Sequence, residues 1–482
     1  MSFVGVLIGL DIGTSKLSAA ALDGDSGRVV GAVSAPTSAA LRGAPEAAEL
    51  DPGRVVGSSM GLIADLLGRA GVPKEGVSGI GVTGQMHGVV LVDRDGRALT
   101  PFVSWQDRRG ALRCRASGRT YAEELSWRLG ERATEASGCR AATGYGGVTL
   151  LRMSEEGPLP RGATALTMPG MVVRELCGAA AIDPTEAASW GIFDVRHGER
   201  WLAEAEEALG GGFGALPETL ATGSRAGALR PEAASAAGLP AGIPVAVALG
   251  DNQASFLGSV PSLPDTVLFN IGTGGQVSVP VDHFLRAEGL ETRPLVNGLR
   301  LLVGASLCGG RAYEVLEAFF AGVGRELFGA DRAGSLLDAM NRLAGRAEPE
   351  CGGLRAGTVF EGTREDPARR GSLAGIGASN LTPANLARAI IVGIVDELMC
   401  YYGIARRAAG EPAQVAGAGG AIRDNPVLRE EIERRLGAGL WLAPQQPEAA
   451  VGAALSGGVA AGVHEDWQAA CRWGKGDTSR AT

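Results

Sequence analysis

Apolar runs separated by short polar turns open the chain. The run at 4–10 predicts a first strand, and the runs at 17–22 and 28–34 predict two more. Strands joined by such short turns are typical of an antiparallel meander. The first turn, from Asp11 to Ser15, contains a carboxylate, a glycine and two hydroxyl groups. Such a turn can bind phosphate through backbone N–H groups and hold magnesium through water, although the same residue types also form ordinary hairpin turns.

This hairpin pattern occurs twice in the chain. Residues 10–23 read LDIGTSKLSAAALD and residues 269–282 read FNIGTGGQVSVPVD, with Ile-Gly-Thr in register. Similarity between the two halves of a chain predicts two domains of one ancestry, each offering a phosphate-binding turn to one nucleotide in the cleft between them. A chance match between short apolar strings is the alternative.

The stretch 245–259, VAVALGDNQASFLGS, changes from a strand pattern to a helix start at Gly250 and Asp251. This order predicts a strand, a tight turn and a helix, with the Asp251 carboxylate at the edge of a sheet. Reacting groups of α/β proteins usually lie at that edge, which makes Asp251 a candidate for catalysis. The alternative is that Asp251 only caps the helix that follows it.

A glycine-flanked loop precedes this stretch. Gln85, Met86 and His87 lie between Gly84 and Gly88. Glycine on both sides indicates a backbone that another group approaches closely. A histidine beside a predicted strand is, in the alternative interpretation, a structural hydrogen bonder.

A second loop, 101–109, carries side chains that suit a sugar. Its sequence PFVSWQDRR brings together Trp105, an amide, Asp107 and two guanidinium groups. An indole face suits sugar C–H groups, and planar polar groups suit hydroxyls. Tyr145 within TGYG and the segment 187–193, AASWGIF, repeat this combination more weakly. The alternative for the 101–109 loop is a solvated surface segment.

Glycine-rich turns follow two predicted strands of the second half. Gly309 and Gly310 follow one strand, and the run from Gly417 to Gly420 links the other to a helix after Asn425. A strand that leads into such a turn and a helix admits a flat ligand or a phosphate near its backbone. Neither turn matches the dinucleotide-binding pattern G-x-G-x-x-G.

Composition narrows the class of protein. The 482 residues are 45% apolar and 20% charged, as in globular enzymes, and this length predicts two or more domains. The net charge of −8 and the lack of a Lys/Arg run argue against nucleic acid as a partner. Seven scattered cysteines without C-x-x-C spacing favour a reducing cytoplasm over a disulfide framework or a zinc site. The first apolar run stops at Asp11, so we expect no signal peptide, and the apolar runs elsewhere predict no membrane segment.

Together these motifs resemble the FGGY family of carbohydrate kinases. The resemblance covers nearly the whole chain and rests on the motifs at 11–14, 84–88, 105–107, 250–251, 271–274 and 417–425. It implies an α/β fold with two actin-like (ribonuclease-H-like) ATPase domains flanking a central cleft. With a boundary placed near Pro244, residues 1–244 would bind mainly sugar, residues 245–465 would bind mainly ATP, and residues 466–482 would form a flexible tail.

The same resemblance implies roles for the matching residues. Asp251 would be the general base on the attacking sugar hydroxyl, and Asp11 would lie beside magnesium and the transferred phosphoryl group. The sugar would be bound by Asp251 together with Gln85, Met86, His87, Trp105, Asp107 and Tyr145. ATP would be bound by Thr14, Ser15, Lys16, Gly272, Thr273, Gly274, Gly309, Gly310, Gly419, Gly420 and Asn425.

The resemblance also bears on the substrate. The segments VSWQD, TGYG, AASWGIFD and VALGDNQAS are most similar to family members that phosphorylate sedoheptulose. They imply a kinase that uses ATP and magnesium and forms sedoheptulose 7-phosphate. A kinase for xylulose or another pentulose is the alternative within the family, because such kinases share Gly-Gln-Met-His-Gly. An actin-like nucleotide switch is the alternative of another class, although a switch would not need the loop around Trp105. A homodimer is a further expectation.

Overall fold

The computed structural model describes residues 5–157, 159–211, 216–330, 334–363, 366 and 368–473. The strands are β1 Val6–Ile12, β2 Lys16–Leu22, β3 Val29–Pro36, β4 Glu49–Leu50, β5 Val77–Gly84, β6 Val90–Val92, β7 Phe102–Val103, β8 Thr164–Leu166, β9 Ala181–Ile182, β10 Phe193–Asp194, β11 Arg200–Trp201, β12 Glu218–Thr219, β13 Arg225–Ala228, β14 Pro244–Ala246, β15 Leu249–Gly250, β16 Thr266–Ile271, β17 Gly275–Val281, β18 Glu291–Pro294, β19 Arg300–Ser306, β20 Arg355–Gly357, β21 Ser372–Ala374, β22 Gln414–Ala418 and β23 Trp441–Leu442.

The α-helices lie between and after these strands. They are α1 Pro52–Ala70, α2 Tyr121–Ala136, α3 Gly146–Glu156, α4 Met168–Cys177, α5 Pro184–Ala187, α6 Ala205–Ala208, α7 Pro231–Ala237, α8 Asp251–Ser259, α9 Gly310–Phe328, α10 Leu337–Ala344, α11 Pro383–Ala409, α12 Gly420–Asp424, α13 Pro426–Leu436, α14 Glu448–Ala460 and α15 Trp467–Trp473. Short 3-10 helices lie at Lys74–Gly76, Arg109–Ala111, Ala188–Trp190 and Cys351–Gly353.

The first sheet contains the predicted meander. Its strand order is β13-β14-β5-β1-β2-β3, with β15 also paired to β5. β1 is antiparallel to β2 and parallel to β5, so that Ile8 pairs with Ala21 on one side and Ile80 on the other. These three residues are fully buried, as expected for a sheet covered by helices on both faces. The predicted meander is therefore confirmed, with β1 shifted by two residues from the expected range.

The second sheet repeats this topology, in the order β18-β19-β17-β16-β22-β23. β16 and β17 form an antiparallel hairpin like β1 and β2, and β16 is parallel to β22 as β1 is to β5. The hairpins with matching sequences thus occupy the same place in the two sheets. The predicted internal repeat is confirmed by the strand order.

A shared core joins the two sheets through α8 and α14. This core contains Leu7 and Leu249 from the first sheet, Leu268 and Ala416 from the second, and Leu455 from α14. Several small residues allow the backbones to touch. A Cβ atom would overlap a carbonyl oxygen of α14 if it were added to Gly9, Gly81 or Gly258, and one of α8 if it were added to Gly452.

This close approach gives a stability prediction. A methyl group at Gly81 would overlap the carbonyl oxygen of Ala453, so we expect Gly81→Ala to lower the free energy of unfolding by about 1–3 kcal/mol. Gly57 is the matched control, because it is an exposed glycine inside α1 and no atom of the described residues lies within 4 Å of a Cβ added there. Gly57→Ala should raise the free energy of unfolding by about 0.5–1 kcal/mol. Urea denaturation of both variants is the measurement, and an unchanged midpoint for Gly81→Ala would contradict the packing argument.

The C-terminal segment differs from the predicted flexible tail. Residues 467–473 form α15, and Trp467 is only 4% exposed. Its indole N–H donates a hydrogen bond of 3.1 Å to the carbonyl oxygen of Thr222. The first part of the predicted tail is therefore packed against the first half of the chain, and residues 474–482 lie outside the described residues.

The first sheet also extends beyond the predicted domain boundary. β14 begins at Pro244, and both β14 and β15 pair with β5. The strand that precedes Asp251 therefore belongs to the first sheet.

Along the described part of the chain, no helix has both the length and the apolar character needed to cross a bilayer.

Candidate active site

Asp251 lies at an edge of the first sheet. β15 runs parallel to β5 and pairs Gly250 with Gly84, and Asp251 is the first residue of α8. Gly250 occupies the capping position, so Asp251 is not the cap that the alternative interpretation expected. Position 250 has to be small, because a Cβ there would lie 2.8 Å from the sulfur of Met86. The helix N-terminus favours the negative charge of the Asp251 carboxylate.

Asp11 approaches Asp251 from the other side of β5. Ile12 and Gly250 both pair with Gly84, so Asp11 in β1 and Asp251, directly after β15, lie on opposite sides of the end of β5. Burial and the nearby Asp251 raise the pKa of Asp11 to about 7, while Lys16 opposes this shift. The structure thus brings the two predicted catalytic carboxylates together, with one lysine close by.

The turn after β1, which is predicted to bind phosphate, contacts the loop that is predicted to bind sugar. The indole N–H of Trp105 donates a hydrogen bond of 2.8 Å to the hydroxyl of Thr14. Trp105 is 37% exposed, and Ser15 and Lys16 are exposed beside Thr14. The predicted nucleotide and sugar residues of the first half are therefore adjacent.

His87 follows β5 in a fixed conformation. Its φ of 75° is in the left-handed region, where non-glycine residues are uncommon. Its backbone N–H donates to the hydroxyl of Ser189 (3.0 Å), and its Nδ1 lies 2.8 Å from the carbonyl oxygen of Ser189. The imidazole stacks on Tyr145 with ring centroids 4.3 Å apart. These contacts join the loop at 84–88 to the segments around Tyr145 and Ser189.

Glycines bring the aromatic loops into contact. Gly144 has a φ of 87°, and a Cβ there would overlap the carbonyl oxygen of Trp105. A Cβ on Gly146 would lie 2.5 Å from the indole of Trp190. The segments VSWQD, TGYG and AASWGIF, which are far apart in the sequence, therefore pack against one another, as a single sugar-binding wall would require.

Two residues of this site were missed by the sequence analysis. The hydroxyl of Tyr145 donates to Glu291 at 2.6 Å, and Glu291 in turn accepts from the guanidinium of Arg293 at 2.9 Å. Arg293 also lies 3.5 Å from the sulfur of Met86. Burial opposes the charge of Arg293, but Glu291 and Tyr145 hold its pKa above the ordinary value. β18 of the second half thus reaches Tyr145 and Met86, which are predicted to bind sugar, and no motif around residues 291–293 indicated this.

Asp107 has an arrangement that differs from the predicted sugar contact. It is 2% exposed, and its carboxylate accepts from the N–H of Ala48 at 3.0 Å and from the guanidinium of Arg109 at 2.6 Å. Arg109 also pairs with Glu49 at 2.6 Å. Because protein donors surround both carboxylate oxygens, Asp107 fixes the loop that presents Trp105.

Two buried acids, Asp183 and Glu186, were also missed. The Asp183 carboxylate accepts from the hydroxyls of Thr185 (2.8 Å) and Thr222 (2.7 Å) and from the N–H of Glu186 (2.9 Å). Burial raises the pKa of Asp183 to about 6 against the effect of these bonds. Burial, together with Asp183 and Asp251, raises the pKa of Glu186 well above its ordinary value. A D-x-T-E pattern after a strand was the available signal, but helix caps have the same pattern.

The turn between β16 and β17 forms one unit with the start of α9. The N–H of Gly310 donates to the carbonyl oxygen of Gly272 at 2.8 Å, and the N–H of Arg311 donates to that of Thr273 at 2.9 Å. A Cβ on Gly309 would overlap the carbonyl oxygen of Gly274. Five predicted ATP-binding residues, Gly272, Thr273, Gly274, Gly309 and Gly310, are therefore in direct contact.

The turn after β22 lies beside this unit. Gly419 has a φ of 88°, and a Cβ there would overlap the carbonyl oxygen of Ile271 at the end of β16. Gly420 begins α12. Asn425 caps α13, because its side-chain oxygen accepts from the N–H of Leu428 at 3.1 Å. The side-chain oxygen of Asn425 is thus already hydrogen-bonded to a protein N–H. The contact of Asn425 with adenosine stays a prediction.

Known proteins share this arrangement of two halves. The model of the FGGY family of carbohydrate kinases, N-terminal domain, matches residues 6–258, and that of the C-terminal domain matches residues 272–461. The chain belongs to the FGGY family of carbohydrate kinases. This FGGY kinase is 29% identical to sedoheptulokinase from Mus musculus, over 93% of its own length and 96% of that protein. It is 27% identical to a glycerol kinase from Alkalilimnicola ehrlichii, over 86% of its own length and 82% of that protein.

A solved structure supports the fold of the kinase. The crystal structure of xylulose kinase from Rhodospirillum rubrum superposes with a TM-score of 0.82 and 25% identity, covering 97% of this chain and 92% of that chain. The predicted pair of actin-like ATPase domains is therefore confirmed. The chain is a sugar kinase, and the alternative of a nucleotide switch without sugar chemistry is set aside.

Proposed function

We propose that this FGGY kinase transfers the γ-phosphoryl group of ATP to the terminal hydroxyl of sedoheptulose and forms sedoheptulose 7-phosphate. The observation that carries the reaction type is the approach of Asp251 and Asp11 at one sheet edge. The similarity to sedoheptulokinase along almost the whole of both chains supports the choice of sugar.

Asp251 acts as the general base in this proposal. Phosphoryl transfer passes through a loose transition state, so most of the acceleration comes from positioning and charge neutralisation. The short strand β15 and the start of α8 fix the backbone of Asp251. Its carboxylate accepts the proton of the attacking hydroxyl and also aligns that hydroxyl with the phosphoryl group.

The residues present fit a magnesium ion carried by ATP. Magnesium is usually bound by one or two carboxylates together with phosphates and water, and Asp11 and Asp251 supply two neighbouring carboxylates. In the described ranges, no group of three or more His, Cys, Asp or Glu side chains is arranged to hold a metal by itself. Asp11 would hold the ion, which when bound neutralises charge on the phosphates. Lys16, which lowers the pKa of Asp11, adds a positive charge at the same turn.

The nucleotide would contact the unit formed by the two glycine turns and α9. Thr14, Ser15 and the turn at 272–274 would bind phosphates, while Gly309, Gly310, Gly419, Gly420 and Asn425 would line the adenosine. Gly272 supports the proposal, because within the described residues no atom lies within 4 Å of a Cβ added there, which leaves room for a phosphate beside the turn. Cytoplasmic localisation and a homodimer stay predictions.

A pentulose kinase is the second candidate. The similarity to the xylulose kinase from Rhodospirillum rubrum favours it. The residues proposed to bind sugar include His87, Tyr145 and Trp105, whose polar and aromatic groups also suit the hydroxyls and C–H groups of a pentulose.

A coupled ADP-release assay across sedoheptulose, xylulose, ribulose and glycerol tests the choice of sugar. We expect sedoheptulose to have a kcat/KM at least about tenfold above that of any other acceptor, the scale on which a pocket discriminates by substrate size. ADP release without sugar should be slow, because the closed site excludes water. NMR of the product identifies the phosphorylated carbon. A preference for xylulose would reject sedoheptulose while leaving the sugar kinase intact.

A further inference from the structure

The side chain of Glu186 is a buried acid without a hydrogen-bond partner in the described part of the chain. Its side chain has no exposed surface, and neither carboxyl oxygen has a hydrogen-bond partner among the described residues. Asp183, three positions earlier, is equally buried but accepts from two hydroxyls and a backbone N–H. A buried polar group without a partner destabilises a protein, so its retention calls for an explanation.

Contacts of the neighbouring backbone place Glu186 beside Asp251. The hydroxyl of Thr185 accepts from the N–H of Gly250 at 2.8 Å, so residues 185–186 adjoin residues 250–251. The charge of Asp251 is also among the causes that raise the pKa of Glu186. Glu186 is therefore close to the carboxylate that would activate the sugar.

The backbone of Glu186 is also linked to the loop that carries His87. The hydroxyl of Ser189 donates to the carbonyl oxygen of Glu186 at 2.6 Å and accepts from the N–H of His87 at 3.0 Å. One serine thus fixes the backbone of Glu186 relative to this loop. Residues 185–186 therefore adjoin both the segment that carries Asp251 and the loop that carries His87.

Gln85 shows the same lack of partners. It is 2% exposed, and neither its amide nitrogen nor its amide oxygen has a hydrogen-bond partner within the described chain. It follows Gly84, which pairs with Gly250. Two buried polar side chains without partners therefore adjoin the strand end that carries Asp251. A ligand with several hydroxyls would satisfy both.

We propose that Glu186 binds the acceptor sugar by hydrogen-bonding a hydroxyl near the one that Asp251 activates. This inference rests on the proposed ketose kinase function. The protonated form of Glu186 is favoured by its burial and by the acids around it, and a carboxylic acid can both donate and accept a hydrogen bond. The protonated acid can hydrogen-bond a sugar hydroxyl beside Asp251. An ionised Glu186 would instead repel the negative charge of the Asp251 carboxylate.

Substituting Glu186 separates a sugar contact from a structural role. We expect Glu186→Met to lower kcat/KM for the preferred ketose by about tenfold to a hundredfold, since a buried hydrogen bond to the sugar is lost. Glu186→Gln keeps a donor and an acceptor and should stay within about fivefold of the wild type. KM for ATP should not change in either variant.

Thermal stability supplies the second readout. Removing a buried group without a partner should leave Tm unchanged or raise it, so Glu186→Met should be less active yet at least as stable. Thr266→Val is the matched control, because Thr266 is also fully buried with a hydroxyl that lacks a partner in the described structure. It lies at the opposite end of β16 from the 272–274 turn, and its substitution should not change sugar kinetics.

Monodeoxy analogues of the preferred ketose identify the contact itself. In the wild type, one analogue should lose activity because its missing hydroxyl normally binds Glu186. In Glu186→Met the same analogue should lose nothing further relative to the parent sugar. Unchanged kinetics in Glu186→Met, or a lowered Tm with an equal loss for every sugar, would overturn the proposal. The wild-type panel tests the choice of sedoheptulose separately, because the Glu186 variants are measured with whichever sugar the wild type prefers.

Discussion

Asp251→Asn should lower kcat by about 10²-fold or more, the scale of losing a general base. The amide keeps the shape of the side chain but cannot take the proton of the sugar hydroxyl. The substitution also removes the negative charge that helps to raise the pKa of Asp11. Because this reduces repulsion between the two neighbouring acids, we expect ATP binding and Tm to be maintained. Steady-state kinetics with the preferred ketose, together with thermal unfolding, is the measurement.

Asp65→Asn is the matched control for this substitution. Asp65 lies on the surface of α1 in an exposed ion pair with Arg69, with N and O atoms 3.1 Å apart. Exposed pairs of this kind contribute little to stability, and the residue is remote from the sheet edge. A correctly folded Asp251→Asn variant with near-normal turnover would remove Asp251 from the mechanism.

Gly309→Ala should raise KM for ATP at least about tenfold. The new methyl group would overlap the carbonyl oxygen of Gly274, so the turn at 272–274 has to move away from the start of α9. Misplacement of a binding group by about 1 Å is enough for a loss of this size. KM for the sugar should change little, because the residues proposed to bind the sugar belong mainly to the first half of the chain.

Gly322→Ala provides the comparison in the same helix. Gly322 lies inside α9, and in the part of the chain that the structure describes no atom lies within 4 Å of a Cβ added there. Its substitution should leave ATP kinetics unchanged and improve helix propensity. If Gly309→Ala bound ATP as well as Gly322→Ala does, the contact between Gly309 and the turn would not matter for the nucleotide.

The local pattern of the sequence determined the elements of the site. Apolar runs before and after each Ile-Gly-Thr motif predicted the two strands of each hairpin. The order Thr382-Pro383 is a typical helix start, and the Thr382 hydroxyl caps α11 by accepting from the N–H of Asn385 at 3.2 Å. These features depend on neighbouring residues alone, so they can be read directly from the order of side chains.

The internal repeat and the FGGY resemblance predicted the two similar sheets and the site residues, which the local pattern alone did not. Two matching hairpins predicted two similar sheets, and the strand orders around β1 and β16 agree with that prediction. Asp11 and Asp251 were identified because each directly follows a predicted strand, and Gln85 because glycines flank its loop. Ends of adjacent strands meet at one edge, so sequence position was informative for the two carboxylates.

Tertiary contacts alone decided which polar groups were already satisfied. Asp107 pairs with Arg109, and the Asn425 oxygen caps α13. Both side chains resembled ligand contacts in the sequence. Whether a carboxylate or an amide is available to a ligand depends on donors that the fold brings to it, and one donor to Asp107, the N–H of Ala48, comes from a distant loop.

Some residues near the candidate site were found only in the tertiary structure, because no sequence motif indicated them. Glu291 and Arg293 reach Tyr145 from the second half, and Trp467 packs onto Thr222. Glu186 became notable only through its burial without a partner beside Asp251. The sequence determines strands, turns and helix caps because these depend on nearby residues. Long-range packing decides burial, hydrogen-bond partners and pKa shifts, because each of these depends on groups that are distant in the chain and adjacent only in the fold.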